Sequence, residues 1–368
     1  MKSTLLILLA LSACTCCTSS PSQEKLPALP ESPLITGQVV TELDPRIWCI
    51  HQDQTGNYWF GSNGNGVYHF DGKQLVQYTR DEGLHGNQVR DIEEDDDGNI
   101  FVGTFTGVSK FDGQGFTRLQ IVEPSSPEKG WALSPKDVWL LCDAGQNGVL
   151  RYDGEKLWRL RLPSNPAAEA FRAQFPGAPY SASGVYSIAK DRRGHVWMGT
   201  ANAGIYRYDG QTLAWMYEEK LTTTPSGGAF GIRSIFEDRS GAFWICNTRQ
   251  RFQIALGAKQ TPEHSLLQYK SVVGLPSSQT DTANHFSFFL CMLEDQEGAL
   301  WMACGSNGAW KFDGKTVTHY PIAEGAYAYS IYNDQQEQIW VGTLDHGVYR
   351  LNGDAFQRFG PTSIPAYR

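Results

Sequence analysis

The residues of this chain best suited to chemistry recur at one place in a repeated phrase. Five positions before the aspartate of a D-x-x-G turn, or of its variants, stand Trp48, Arg90, Tyr186, Arg233, Leu290 and Tyr329. Arg46, Asn87, Gln88, Phe288 and Tyr327 lie close to them in sequence. Aromatic faces offer stacking, and arginines and amides offer charge-assisted and neutral hydrogen bonds. A sugar, a peptide or an aromatic acid needs that combination. The same column would equally suit the lining of a water-filled channel or packing between inner strands. A second set falls in the loops after a repeated tryptophan: Asn63, Asn147, Asn202, Arg249, Asn307 and His346. Several of these precede glycine, a pattern that also fits left-handed turn residues. Longer insertions add Arg251, His264 and His285.

Other chemistries find no support in the residues. No HExxH, CxxCH, GxSxG, P-loop or dinucleotide fingerprint occurs, so no cofactor is expected. The acidic run EEDDDGNI at 93–100 lacks the twelve-residue calcium-loop pattern and occupies an ordinary turn of the repeat, so no metal is expected either. A net charge of −8 without a lysine or arginine run argues against nucleic acid.

The elements that must position these residues follow from the phrase itself. It reads QDQTGNYWFGSNGNGVYHFDG at 52–72, KDRRGHVWMGTANAGIYRYDG at 190–210 and EDQEGALWMACGSNGAWKFDG at 294–314. An apolar strand leads to an Asp-Gly turn, a tryptophan strand ends in Gly-Thr or a small substitute, and a third strand ends in a second Asp-Gly turn before a fourth. Such a repeat of about 40 residues cannot bury both its faces alone and must stack on its neighbours, which points to a β-propeller. Trp59, Phe101, Trp139, Trp197, Trp244, Trp301 and Trp340 mark seven copies. The expectation is therefore an all-β chain: one seven-bladed β-propeller over 35–368, with four antiparallel strands per blade. The tryptophans are read as core, and the glycines after them as points where neighbouring sheets approach closely. Blade three replaces the aspartate turn with SPKD at 134–137, and blade five is expected to recover its third strand as LLQYK at 266–270. ITGQVVTELD at 35–44 is a candidate closing strand beside the last blade.

On this strand assignment the insertions at 163–183, 248–264 and 279–285 gather on one face around blades three to six, where a scaffold that grows loops binds. Cys49 and Cys291 share a column with Ser187, Ser234 and Ser330, and Cys142, Cys246 and Cys304 replace small residues after the tryptophan. All five read as small buried strand residues, although a pair between neighbouring blades stays open.

Before the repeats, Met1-Lys2, the apolar TLLILLAL and LSAC at 11–14 form a signal segment over 1–13. LSAC resembles the lipobox of bacterial lipoproteins. That resemblance implies acylation at Cys14, a flexible tether over 14–34, and a membrane association made by the lipid alone. Thr15, where an aspartate is absent, favours the outer membrane by the same resemblance.

The full phrase, apolar, two residues, Asp, two residues, Gly, then Trp, Gly-Thr and Tyr/Phe-Asp-Gly, resembles the two-component regulator propeller repeat of periplasmic bacterial sensors. Those sensors usually carry two propellers, a β-sandwich, a membrane span and kinase motifs, whereas this chain has one propeller and a lipobox. The resemblance thus implies recognition without phosphotransfer. The leading expectation is a non-enzymatic, lipid-anchored module of the bacterial envelope. It would bind a small molecule, a glycan or an envelope protein through Arg46, Trp48, Gln88, Arg90, Tyr186, Arg233, Arg249, His285, Tyr327, Tyr329 and His346. A lyase-like propeller enzyme, with His264, His285 or His346 as general base beside a carboxylate, is one alternative. A structural envelope protein is the other.

Overall fold

In the computed structural model, residues 37–123, 132–142, 148–223, 231–261, 264–275, 289–305 and 308–360 are described. Cys14, the signal segment, the tether, His285, Phe288, Asn147 and Asn307 lie outside them. Blade one shows how the phrase folds: Ile47–Gln52 runs inward of Tyr58–Ser62, then Val67–Phe70 and Leu75–Tyr78 follow outward, each antiparallel to its neighbour. Blades two, four, five, six and seven repeat this order, and with blade three the described strands fall into seven units. Two of them join into an eight-stranded sheet through a parallel contact between Leu213–Met216 and Ser265–Val272. The chain is a β-propeller.

The spacing of the turn aspartate and the tryptophan has a stereochemical cause. One carboxylate oxygen of Asp53 accepts the backbone N–H groups of Thr55 and Asn57, closing the turn, while the other accepts the Trp59 indole N–H at 2.9 Å. The indole bond recurs at Asp191–Trp197 (3.0 Å), Asp238–Trp244 (2.9 Å), Asp295–Trp301 (2.9 Å) and Asp334–Trp340 (2.8 Å). A buried indole needs an acceptor, and the aspartate supplies it without a further residue. Each tryptophan then packs on the next blade: Trp59 on Phe111 at 5.3 Å, Trp197 on Phe243 at 4.4 Å, and Trp340 on Tyr58 at 4.8 Å, which closes the ring. The glycines that follow behave as expected. A Cβ at Gly61 would lie 2.6 Å from Val89 of blade two, and one at Gly103 would lie 2.2 Å from the Leu141 carbonyl of blade three.

Three expectations need correction. Gln38–Val40 pairs antiparallel with the outer strand of blade one itself, not with the last blade, and the four strands of blade seven all come from 328–358. Blade three departs from the antiparallel pattern at its outer edge. Among the described residues it has no strand inside Val138–Leu140, and Ile121–Val122 instead runs parallel along its outer edge. In blade five, Arg251–Gln260 is the third strand and LLQYK lies in the fourth, Ser265–Val272. Phe252 pairs with Phe243 as Phe70 pairs with Tyr58, so the residues after Phe252 carry the hairpin past the Asp-Gly turns. Its tip therefore belongs to the turn face, opposite to where the insertion at 248–264 was expected.

Of the other insertions, 163–183 folds around the helix Pro166–Gln174, whose N-cap Asn165 accepts the Ala168 N–H at 2.8 Å and donates to Ala203 O and the Tyr206 hydroxyl. The segment 279–285 is outside the described residues. Cys49, Cys246, Cys291 and Cys304 are free thiols, and Cys142 is buried. No described helix is long and apolar enough to cross a membrane.

A cationic aromatic cavity at the axial mouth

The column five residues before the turn aspartates converges on the axis. Trp48, Arg90, Tyr186, Arg233, Leu290 and Tyr329, drawn from six blades, line one cavity of about 160 Å³. The backbone explains why these side chains, and not their neighbours, face inward. In blades one, two, four and seven the pairing of the inner strand skips one residue, and the skipped residues are Trp48, Arg90, Tyr186 and Tyr329. A β-bulge bends its strand and re-aims the extra side chain. Four of the six ring residues are thus bulge residues, a signal absent from composition or alternation.

Within the ring, aromatic and cationic groups alternate in contact. Trp48 stacks on Tyr329 with centroids 5.2 Å apart, and the Arg233 guanidinium lies 4.7 Å from the Tyr186 ring and donates to the Tyr329 hydroxyl at 3.0 Å. Arg90 sits between Phe105, at 4.9 Å, and Tyr186, at 5.6 Å. Its guanidinium reaches Cys142 O and Val185 O, each at 3.4 Å, and so ties blade two to blades three and four. Burial, with the repulsion of Arg233 as a further contribution, lowers the pKa of Arg90, although an arginine stays charged throughout the physiological range. The Trp48 indole N–H is buried without a protein acceptor. Among the described residues, no acidic side chain lines the cavity.

Acidic residues do sit just behind it. Asp91 takes the place held by Ser187 or Cys291 in other blades and accepts the Leu141 N–H at 2.9 Å, and Lys190 reaches across from blade four to Asp137 O at 2.8 Å. Desolvation raises the pKa of Asp91, and desolvation together with Asp91 raises that of Glu93. Glu93 keeps access to water, which screens part of this effect.

The remaining expected residues fall outside the cavity lining. Arg46 is exposed and pairs with Asp44 at 3.4 Å beside the blade-one loop. Gln88 is an exposed rim residue donating to Asn63 Oδ1 at 3.3 Å. Tyr327 lies at the rim, its phenol pKa raised by burial, with Arg233 close enough to oppose that shift. Arg249 anchors the chain through its carbonyl, which accepts the Leu275 N–H at 2.9 Å. His346 contacts the adjacent Asp345 at 2.7 Å in the blade-seven loop. Arg251 serves the core, lying 5.6 Å over Trp244 and 3.2 Å from Asp238, and His264 belongs to the hairpin tip on the opposite face. Asn63 and Asn202 are not left-handed; among the described non-glycine residues only Asn247 and Glu337 have positive φ.

The sequence model of the two component regulator propeller family matches residues 41–64, 83–106 and 179–202, each spanning an inner strand, its bulge and the tryptophan strand. Those three segments carry the two-component regulator propeller repeat. No curated protein matches the sequence of the chain. Among solved structures, it is similar to the extracellular domain of the putative one component system BT4673 from B. thetaiotaomicron, with 20% identity and a TM-score of 0.57 over 87% of this chain and 41% of that one. The putative hybrid two component system BT3049 of the same organism gives 16% identity and a TM-score of 0.57 over 86% and 40%. The chain thus spans about two fifths of the length of those extracellular domains. It is also similar to virginiamycin B lyase from Staphylococcus aureus, with 15% identity and a TM-score of 0.56 over 84% of this chain and 97% of that one. At these identities the likeness is one of fold.

Proposed function

We propose that this chain is a sensor-type recognition propeller that takes a small anionic, ring-bearing ligand at the axial mouth. The observation that carries the reading is the convergence on one cavity, among the described residues, of two guanidiniums and three aromatic rings without a carboxylate, in a chain whose net charge is −8. Such a site attracts an anion locally against the charge of the whole, and the rings add stacking. A cavity of about 160 Å³ admits a carboxylate or sulfate with part of its ring, leaving the remainder to the rim. Uronates and aromatic acids fit that description. The repeat family and the sensor-domain neighbours support a recognition role, and the lipobox supports a lipid anchor at Cys14 that holds the propeller at the bacterial envelope.

Isothermal titration with glucuronate, benzoate and their neutral counterparts tests the reading. Binding of an acid, with the neutral form at least about tenfold weaker and affinity lost in Arg233→Gln or Tyr329→Phe, is the expected result. Equal affinity for acid and neutral forms, or none for either, overturns it. The lyase reading draws on the likeness to virginiamycin B lyase and on the contact of His346 with Asp345. Incubating the chain with a streptogramin B compound and following ring opening by mass spectrometry separates it from recognition.

A further inference from the structure

A second cavity lies on the other face of the disc, in the seam between the first and last blades, with a volume of about 570 Å³. That is within the range of small-molecule sites, about 300–1,000 Å³. What distinguishes this seam is an unused guanidinium. In blades two to six the basic residue of the third strand lies near the turn aspartate or a backbone carbonyl: Lys110 to Asp95, Arg151 to Asp137, Arg207 to Leu256 O, Arg251 to Asp238 and Lys311 to Asp295. In blade seven the corresponding Arg350 lies 5.8 Å over Trp340 with no hydrogen bond or ion pair among the described residues. Its expected partner is taken. One Asp334 oxygen accepts the Tyr58 hydroxyl at 2.6 Å and the Trp340 indole, and the other accepts the N–H groups of Gln336 and Gln338.

Arg350 therefore faces the cavity with its donors open, alongside Lys73. An acceptor faces it too. Asp71 uses one oxygen for the N–H groups of Lys73 and Gln74 and leaves the other to the cavity. Two carboxylates and two cations line the space, so their charges cancel and an anion gains little there, in contrast to the axial mouth. A ligand that both donates and accepts suits the open guanidinium and the open carboxylate, and Tyr58 with Phe70 adds an apolar strip for a ring face. We infer that this seam is a binding site for a neutral, hydroxyl-rich ligand of one or two rings, a mono- or disaccharide. Because the ligand would touch blades one and seven together, its binding stabilises the closed ring by linkage.

The test uses the purified chain with cellobiose, maltose and xylobiose, and digalacturonate as the acidic counterpart, read by thermal unfolding and titration calorimetry. At about 100 times Kd, one neutral disaccharide should raise the Tm by about 4 °C. Arg350→Lys keeps a charge over Trp340 but loses the planar fork, and should weaken binding about tenfold. Asp71→Asn, at an exposed position that cannot unfold the ring, should weaken it severalfold, and Arg233→Gln at the axial mouth should leave it unchanged. No shift with any of the three neutral sugars overturns the inference. So does tighter binding of digalacturonate, or an affinity unaffected by both Arg350→Lys and Asp71→Asn.

Discussion

Replacing one tryptophan in two different blades isolates the bond that sets the repeat spacing. Trp244 and Trp139 are equally buried, at 1% and 3% exposure, and each packs at the centre of its blade. Trp244 donates its indole N–H to Asp238 at 2.9 Å, whereas Trp139, whose blade has SPKD in place of the aspartate turn, has an indole N–H without an acceptor. Trp→Phe removes similar volume from both, so the packing loss is shared. In blade five the change also removes a charge-assisted hydrogen bond, worth about 1.5–3 kcal/mol. In blade three it relieves an unsatisfied buried donor, a gain of about 1–3 kcal/mol. Asp238 retains Ser240, Ala242 and Arg251 as partners, which trims the first figure towards its lower end. Trp244→Phe should thus cost about 2 kcal/mol or more beyond Trp139→Phe, a difference of about 3 °C in Tm. Urea unfolding followed by tyrosine and tryptophan fluorescence, with thermal scans as a check, measures both variants. Equal losses would refute the argument that the aspartate is placed to satisfy the indole.

Three further outcomes are expected. Hydrogen bonds from Thr55, Trp59 and Asn57, outweighing desolvation, hold Asp53 below the usual carboxylate range, and those to Asp238 act likewise. Their stabilisation is present above about pH 4 and is lost as pH falls through the depressed folded values, so acid unfolding should steepen below about pH 4. Glu93 carries the opposite sign: burial and Asp91 raise its pKa, so protonation stabilises the fold between neutrality and the ordinary carboxylate range. Glu93→Gln should flatten the change in Tm between about pH 7.5 and pH 5, and an unchanged slope would count against a raised Glu93. Burial pushes the Cys246 thiol up to about 11, so it should resist a thiol reagent until denaturant is added; rapid native labelling of Cys246, located by peptide mapping, would contradict this.

The parts of the structure legible in sequence are those that repeat. Asp-Gly turns, tryptophan strands and close-approach glycines each recur, so one copy corrects the reading of another, and the inward column could be found by its offset from the turn. The bulge that aims Trp48, Arg90, Tyr186 and Tyr329 was not legible, because it is a register shift between two strands and leaves no mark in either. Blade five misled because its turn was replaced by a longer hairpin, and apolar LLQYK fits a third strand as well as a fourth. Blade three misled because SPKD replaces its aspartate turn, which leaves the phrase without the anchor that aligns an inner strand. Arg350 went unnoticed because it looks like every other basic residue of its column. Only the hydroxyl of Tyr58, from the far end of the chain, makes it different.

Among the described residues, no strand is shared across the seam between blades one and seven: Tyr58 bonds to Asp334, Gln335 to Gln52 and Asp53, and the Gly347 N–H to the Pro45 carbonyl. Topologically it is then one interblade boundary among seven, and the order of blades along the chain is a matter of covalent convenience. A circular permutant that joins the end of blade seven to the start of blade one, and opens the chain in the loop between blades one and two, should fold to the same disc. Whole blades could likewise be gained or lost by duplication without re-engineering a latch.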